Sequence, residues 1–144
     1  MNLVTQLIER VSKERKRIVV VGDAMFDCWI HGHVDECQDE CKKFVKEYGI
    51  TVIGGAGNAR RSLSNWDVET DLCSYPTENY PYKQRFLVDD KIIFRADNET
   101  NRHKPLAGSM PAVVDAVQGA DAVLLSDYDK GFLPQSYIRQ VADL

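Results

Sequence analysis

The sequence predicts an α/β fold with a mostly parallel sheet, and three observations carry that prediction. Two continuous apolar runs, "IVVVG" at 18–22 and "AVLLS" at 122–126, each lead straight into an aspartate, Asp23 and Asp127. Apolar runs without alternation suit strands buried on both faces, as in parallel sheets covered by helices. Stretches of helical periodicity alternate with extended ones along the chain. The segment "ITVIGGAGNARRSL" is a strand, a glycine turn and a helix in succession. The predicted architecture is a Rossmann-like three-layer α/β/α sandwich with a small antiparallel addition. In such sheets ligands bind outside the carboxyl ends of the strands.

Taken in order, Leu3, Leu7, Ile8 and Val11 recur at helical spacing and predict an amphipathic helix over 2–14. "IVVVG" follows as a buried strand, and the aromatic, β-branched "CWIHGHV" as a strand or hairpin arm. "DECQDECKKFVKEYG" is charge-rich, with Phe44, Val45 and Tyr48 at helical spacing, and reads as a short surface helix or a loop, Gly49 its C-cap. The helix after the glycine turn carries Ala56, Ala59, Leu63 and Trp66 on one side. "VETDLCSY" is a short strand, and "YKQRFLVDDKIIFRADNE" two strands across an Asp89-Asp90 turn. "SMPAVVDAVQG" is a helix with Ser109 as N-cap and Gly119 as its stop. A last helix starts near Pro134, a residue suited to a first turn.

One domain is expected over 1–144. The net charge of −4 argues against nucleic acid or an anionic membrane as partner, since both need a basic face. No apolar run approaches the roughly 20 residues of a membrane span. With an acid-containing amphipathic N-terminus in place of a signal peptide, the expected location is cytoplasmic. The four cysteines are then not a disulfide framework. His31, His33, Cys37 and Cys41 match no standard zinc spacing, and no metal is assigned.

Three stretches could carry chemistry. Gly54, Gly55 and Gly57 permit close backbone approach at a helix N-terminus, which suits an anion or a sugar hydroxyl, or forms only a tight turn. It is neither a P-loop nor a dinucleotide fingerprint. In "SDYDKG", Lys130 beside Gly131 could hold a phosphate as a point charge, or belong to a solvated loop. Lys83 and Arg85 share a strand face, and a paired strand can bring Arg95 beside them; charges there can also serve only to protect an edge.

Read together and in order, "VVVGDAMFD", "GGAGNA", "YKQRFLVDDKIIFRADNE" and "AVLLSDYDKGF" resemble the N-terminal half of the ribokinase-like carbohydrate kinases. Within that family they are similar to the bacterial heptose 7-phosphate kinases, the kinase half of bifunctional heptose kinase/ADP-heptose synthases. The resemblance covers about residues 18–133. It implies a truncated ribokinase-like fold whose lid strands lie near 28–34, 50–53 and 82–95 and cover a phosphorylated sugar. It implies that Asp23 and Asn58 bond sugar hydroxyls, with Asp27, Gly54 and Gly55 beside them. Lys83, Arg85 and Arg95 then contact the sugar or its phosphate, and Asp127 and Lys130 form the floor. A homodimer through the lid is expected, as are ATP and magnesium as the cofactors of the family.

The chain also departs from that pattern. Family members run to roughly twice this length and carry a later Gly-Ala-Gly-Asp, whose aspartate is the general base. Here "GAGN", Gly55 to Asn58, sits in the sugar-binding position, and an amide cannot accept a proton as a carboxylate does. The segment between Trp66 and Tyr82 is also shorter than the family's. Two functions are therefore expected in order: a catalytically incomplete sugar-kinase domain, then a non-catalytic dimeric binding or assembly protein. A third is an unrelated small anion- or nucleotide-binding module.

Overall fold

The computed structural model describes residues 2–13, 16–36, 41–98 and 109–143. Chain order is α1 (Leu3–Lys13), β1 (Arg17–Gly22), β2 (Ala24–Glu36), β3 (Lys42–Gly55), α2 (Ala56–Leu63) and β4 (Glu69–Cys73). There follow a 3-10 turn at Thr77–Asn79, β5 (Tyr82–Val88), β6 (Lys91–Asn98), α3 (Ser109–Val117), β7 (Ala122–Ser126) and α4 (Gln135–Ala142).

The strands form two sheets. The first is parallel, in the order β4-β1-β7. β1 is its centre, and Val19, Val20 and Val21 are wholly buried, as an apolar run without alternation requires. Successive side chains point to opposite faces. Val19 and Val21 pack with Val113 and Val117 of α3, Val141 of α4, Tyr75, Phe132 and Leu133. α2 also lies against β1. Arg17 ties the end of α3 to this sheet by donating to the Ala116 and Gln118 carbonyls at 2.9 and 3.0 Å.

The second sheet has the order β3-β2-β5-β6, antiparallel except between β2 and β5. β5 and β6 turn through Asp89 and Asp90, both in the left-handed region (φ 48° and 59°). That is the geometry of a type I′ hairpin, made here by two aspartates, a residue type that visits this region more readily than most.

The stretch read as a surface helix or loop is a correction. Residues 42–55 form one long strand, so Gly49 lies within a strand and caps no helix. Phe44 packs edge-on to Phe86 at 5.1 Å, while Tyr48 stacks on His31 at 4.4 Å, on the opposite face. The pairing with β2 is irregular at His31/Gly32, which breaks the two-residue alternation and leaves a spacing that mimics a helix. The lid strands are accordingly longer than expected. β2 is an inner strand; β3 and β6 are the edges. Trp66 lies beyond α2 and is exposed. Gly119 (φ 72°) follows α3 as expected, and Pro134 directly precedes α4. The Ser109 side chain and Cys37 lie outside the described residues. Among the described residues no helix is long and apolar enough to cross a membrane.

Candidate functional site

Asp23 leaves the end of β1 and is wholly buried. Its backbone joins the two neighbouring segments: its N–H donates to Ser126 O at 3.0 Å, and its carbonyl accepts from Ala56 N at 2.8 Å. Its carboxylate is fully engaged. Oδ2 accepts from the backbone N–H groups of Tyr128 (2.9 Å) and Lys130 (3.1 Å). Oδ1 accepts from Phe132 N–H at 2.9 Å and from the Tyr75 hydroxyl at 3.2 Å. The same hydroxyl lies 2.6 Å from the Lys130 carbonyl oxygen. Burial first, then the neighbouring Asp23 charge, pushes the Tyr75 hydroxyl far above its ordinary range. A buried carboxylate with these partners is a cap for the loop after β7, which needs one: Asp129 and Gly131 both have positive φ (55° and 95°).

The second sheet brings together Asp27, Lys83, Arg85 and Arg95. Asp27 of β2 meets Arg85 of β5 at 2.9 Å, with side chains 15% and 20% exposed respectively. The Arg85 guanidinium also lies 4.9 Å from the centre of the Trp29 ring. Lys83 is paired with Asp27 on one side and Asp97 on the other, and Arg95 is paired with Arg85. Arg95 donates to Asp97 at 2.8 Å, and this bond holds the Asp97 carboxyl below the usual carboxylate range. Gly54 leaves this arrangement room, since a Cβ there would collide with the Asp27 carboxylate. Lys83, Arg85, Arg95 and Asp27 therefore share one face of the lid, as the period-two spacing predicts for the three cations. The opposite face is apolar, with a groove of about 600 Å³ lined by Val34, Lys42, Phe44, Phe86, Ile93 and Phe94.

The other candidates stand apart from this strip. Gly55 (φ 57°) is the residue before α2, a conformation that favours glycine. Asn58 is exposed in the first turn of α2, and its Oδ1 accepts from Arg61. Asp127 is exposed and accepts from Asp129 N–H at 2.8 Å. Lys130 is buried at the Asp23 cluster. Sequence reasoning missed Trp29, Asp97, Tyr75 and Arg61. The first two were reachable, each lying two residues along a strand from a chosen residue and hence on its face. Tyr75 and Arg61 act through contacts no local pattern announces.

Chemically, the lid strip alternates carboxylates with cations beside an aromatic ring. Carboxylates accept from hydroxyls, guanidinium and ammonium donate to hydroxyls or phosphate, and a ring supplies an apolar platform.

No family model matches the chain. In sequence it is similar to the bifunctional protein HldE of Caulobacter vibrioides, 26% identical over 89% of this chain and 32% of that protein. The bifunctional protein HldE of Nitrobacter hamburgensis is 30% identical over 88% of this chain and 33% of the relative. The chain thus spans about a third of the length of the curated relatives it matches. Among solved structures, a carbohydrate kinase from Agrobacterium tumefaciens superposes with a TM-score of 0.51 at 16% identity, covering 88% of this chain and 48% of that one. In sequence the chain is thus similar to the HldE proteins, and in fold to a carbohydrate kinase.

Proposed function

We propose that the chain is a phosphosugar-binding domain, with a heptose 7-phosphate-like ligand held against the charged face of the lid. The observation that carries this reading is the Asp27–Arg85 pair beside Trp29, opposite Lys83 and Arg95. Asp27 is the carboxylate this reading places against sugar hydroxyls, because Asp23 has both oxygens occupied by the β7 loop. Lys83 and Arg95 are the cations offered to the phosphate. Asn58, with its oxygen held by Arg61, is left with its amide N–H groups to donate.

ATP and magnesium belong to the family, and the described residues do not fit them. The Gly55–Asn58 turn ends in an amide rather than a carboxylate, and Asp127 is bonded to its own loop. Phosphoryl transfer needs positioned charge around the γ-phosphate and a proton acceptor, so no transfer step is assigned to these residues.

A second reading, a non-catalytic dimer, is favoured by one observation: the apolar face of the lid. Phe94 is 60% exposed and Ile93 50%, beside Phe44 and Phe86. A face of this kind on a four-stranded sheet suits a second copy of the same lid.

Thermal melts of the 144-residue chain with heptose 7-phosphate test the main reading. Binding to the native state raises the melting temperature, by an amount that grows with the logarithm of ligand concentration above Kd. No shift at millimolar ligand contradicts a phosphosugar site. With ATP added, the same chain is expected to release no ADP above a no-enzyme control.

A further inference from the structure

The arginines on α2 differ from the three that lie on the strands. Arg17, Arg85 and Arg95 are neutralised by Asp71, Asp27 and Asp97. Arg60 and Arg61 have no carboxylate within ion-pair distance among the described residues; each is held by uncharged acceptors. Arg60 Nε donates to Thr70 O at 3.2 Å. Arg61 Nη2 donates to Ile53 O at 2.9 Å and also to Asn58 Oδ1. These bonds fix both guanidinium groups yet leave each with further N–H donors.

Both groups line a groove of about 420 Å³, together with Val52, Ile53, Ser64 and Thr70. Gly57 lets α2 sit close to β3, for a Cβ there would run into the Ile53 side chain. None of the lining residues is acidic. Adjacent helical residues point about 100° apart, so the two guanidiniums approach from different directions. A tetrahedral oxyanion can use both, whereas one planar carboxylate is satisfied by a single fork.

We propose that this groove, between α2 and the edge strands β3 and β4, binds a phosphate-bearing small molecule. It is a separate site from the Asp27 face and does not rest on the sugar reading.

The test is a titration of the full chain with inorganic phosphate and with glycerol phosphate, followed by backbone amide NMR. The expected result is saturable shifts at residues 57–64 and 70, weakened by added salt as for any exposed ion pair. Arg60→Ala with Arg61→Ala should weaken binding at least tenfold. If that double variant loses its dispersed spectrum, Arg60→Lys with Arg61→Lys keeps the charge, removes the fork, and should still bind more weakly. Arg139→Ala, on α4, should bind phosphate as the wild type does. Unchanged affinity in the arginine variants, equal binding of acetate at matched ionic strength, or no saturable shift in these amides would each overturn the proposal.

Discussion

Asp23 Oδ1 accepts the backbone N–H of Phe132 at 2.9 Å, from a residue 109 positions further along the chain. With the two bonds to Oδ2 from Tyr128 and Lys130, one carboxylate holds the loop that leads from β7 to α4. The aspartate that ends the first apolar strand is thus explained by the loop after the last one.

Removing that carboxylate should cost the fold. Asp23→Ala leaves three backbone N–H groups without an acceptor, two of them buried with Lys130 and Phe132. Losing a buried, hydrogen-bonded charge from such a network costs about 3–5 kcal/mol. Urea unfolding of the free protein measures it, and a loss under about 1 kcal/mol, the size of an ordinary helix cap, would contradict the assignment. The family resemblance implied a different role for Asp23, bonding sugar hydroxyls.

Tyr75 makes the same cluster sensitive to alkali. Its ionisation is suppressed in the fold by burial and by Asp23, whereas an unfolded tyrosine ionises near pH 10. A group whose folded value is raised contributes stability that is fully present below the unfolded value and is lost as pH rises beyond it. The contribution of Tyr75 should therefore hold to about pH 10 and then be lost at up to about 1.4 kcal/mol per pH unit, on top of an earlier decline from Cys73, whose thiol burial also raises. Tyr75→Phe should cost about 1–2 kcal/mol at neutral pH through its lost hydrogen bond. It should also flatten the alkaline decline, though not abolish it, because burial raises Tyr80 as well. An equally steep alkaline decline in the variant would contradict this.

How much of this was legible in the sequence depended on the range of the interaction. β1 announces itself because a buried parallel strand is a local apolar run; β7 shows the same run, but it is an edge of its sheet and leaves Val123 and Leu124 exposed, so the expected burial on both faces holds for β1 alone. The shared face of Lys83 and Arg85 follows from a period of two. β3 did not, because an irregular pairing with β2 and demands on both faces gave Phe44, Val45 and Tyr48 a helical spacing. The role of Asp23 was hidden for another reason: its partners are backbone N–H groups more than a hundred residues away, which leave no side-chain signature. The Asp27–Arg85 pair spans 58 positions and became visible only with the parallel register of β2 and β5.

The apolar lid face predicts self-association. Phe94→Lys places a charge in the groove between Phe86 and Ile93, which a dimer could bury only at a cost of several kcal/mol. Light scattering at micromolar concentration should report a dimer for the wild type and a monomer for the variant, with both folded by circular dichroism. A monomeric wild type would remove the lid-dimer reading.

The central claim is that the ligand-facing carboxylate is Asp27 and the structural one Asp23. Calorimetric titration of heptose 7-phosphate into wild type and Asp27→Asn tests it most directly. Asp27→Asn keeps the shape but loses the charge and one acceptor, and hydrogen bonds to a charged group are worth about 1.5–3 kcal/mol. The account predicts binding by the wild type, at least tenfold weaker binding by Asp27→Asn, and a variant whose far-ultraviolet circular dichroism matches the wild type. Equal affinity in the two proteins, or no binding by either, would contradict it.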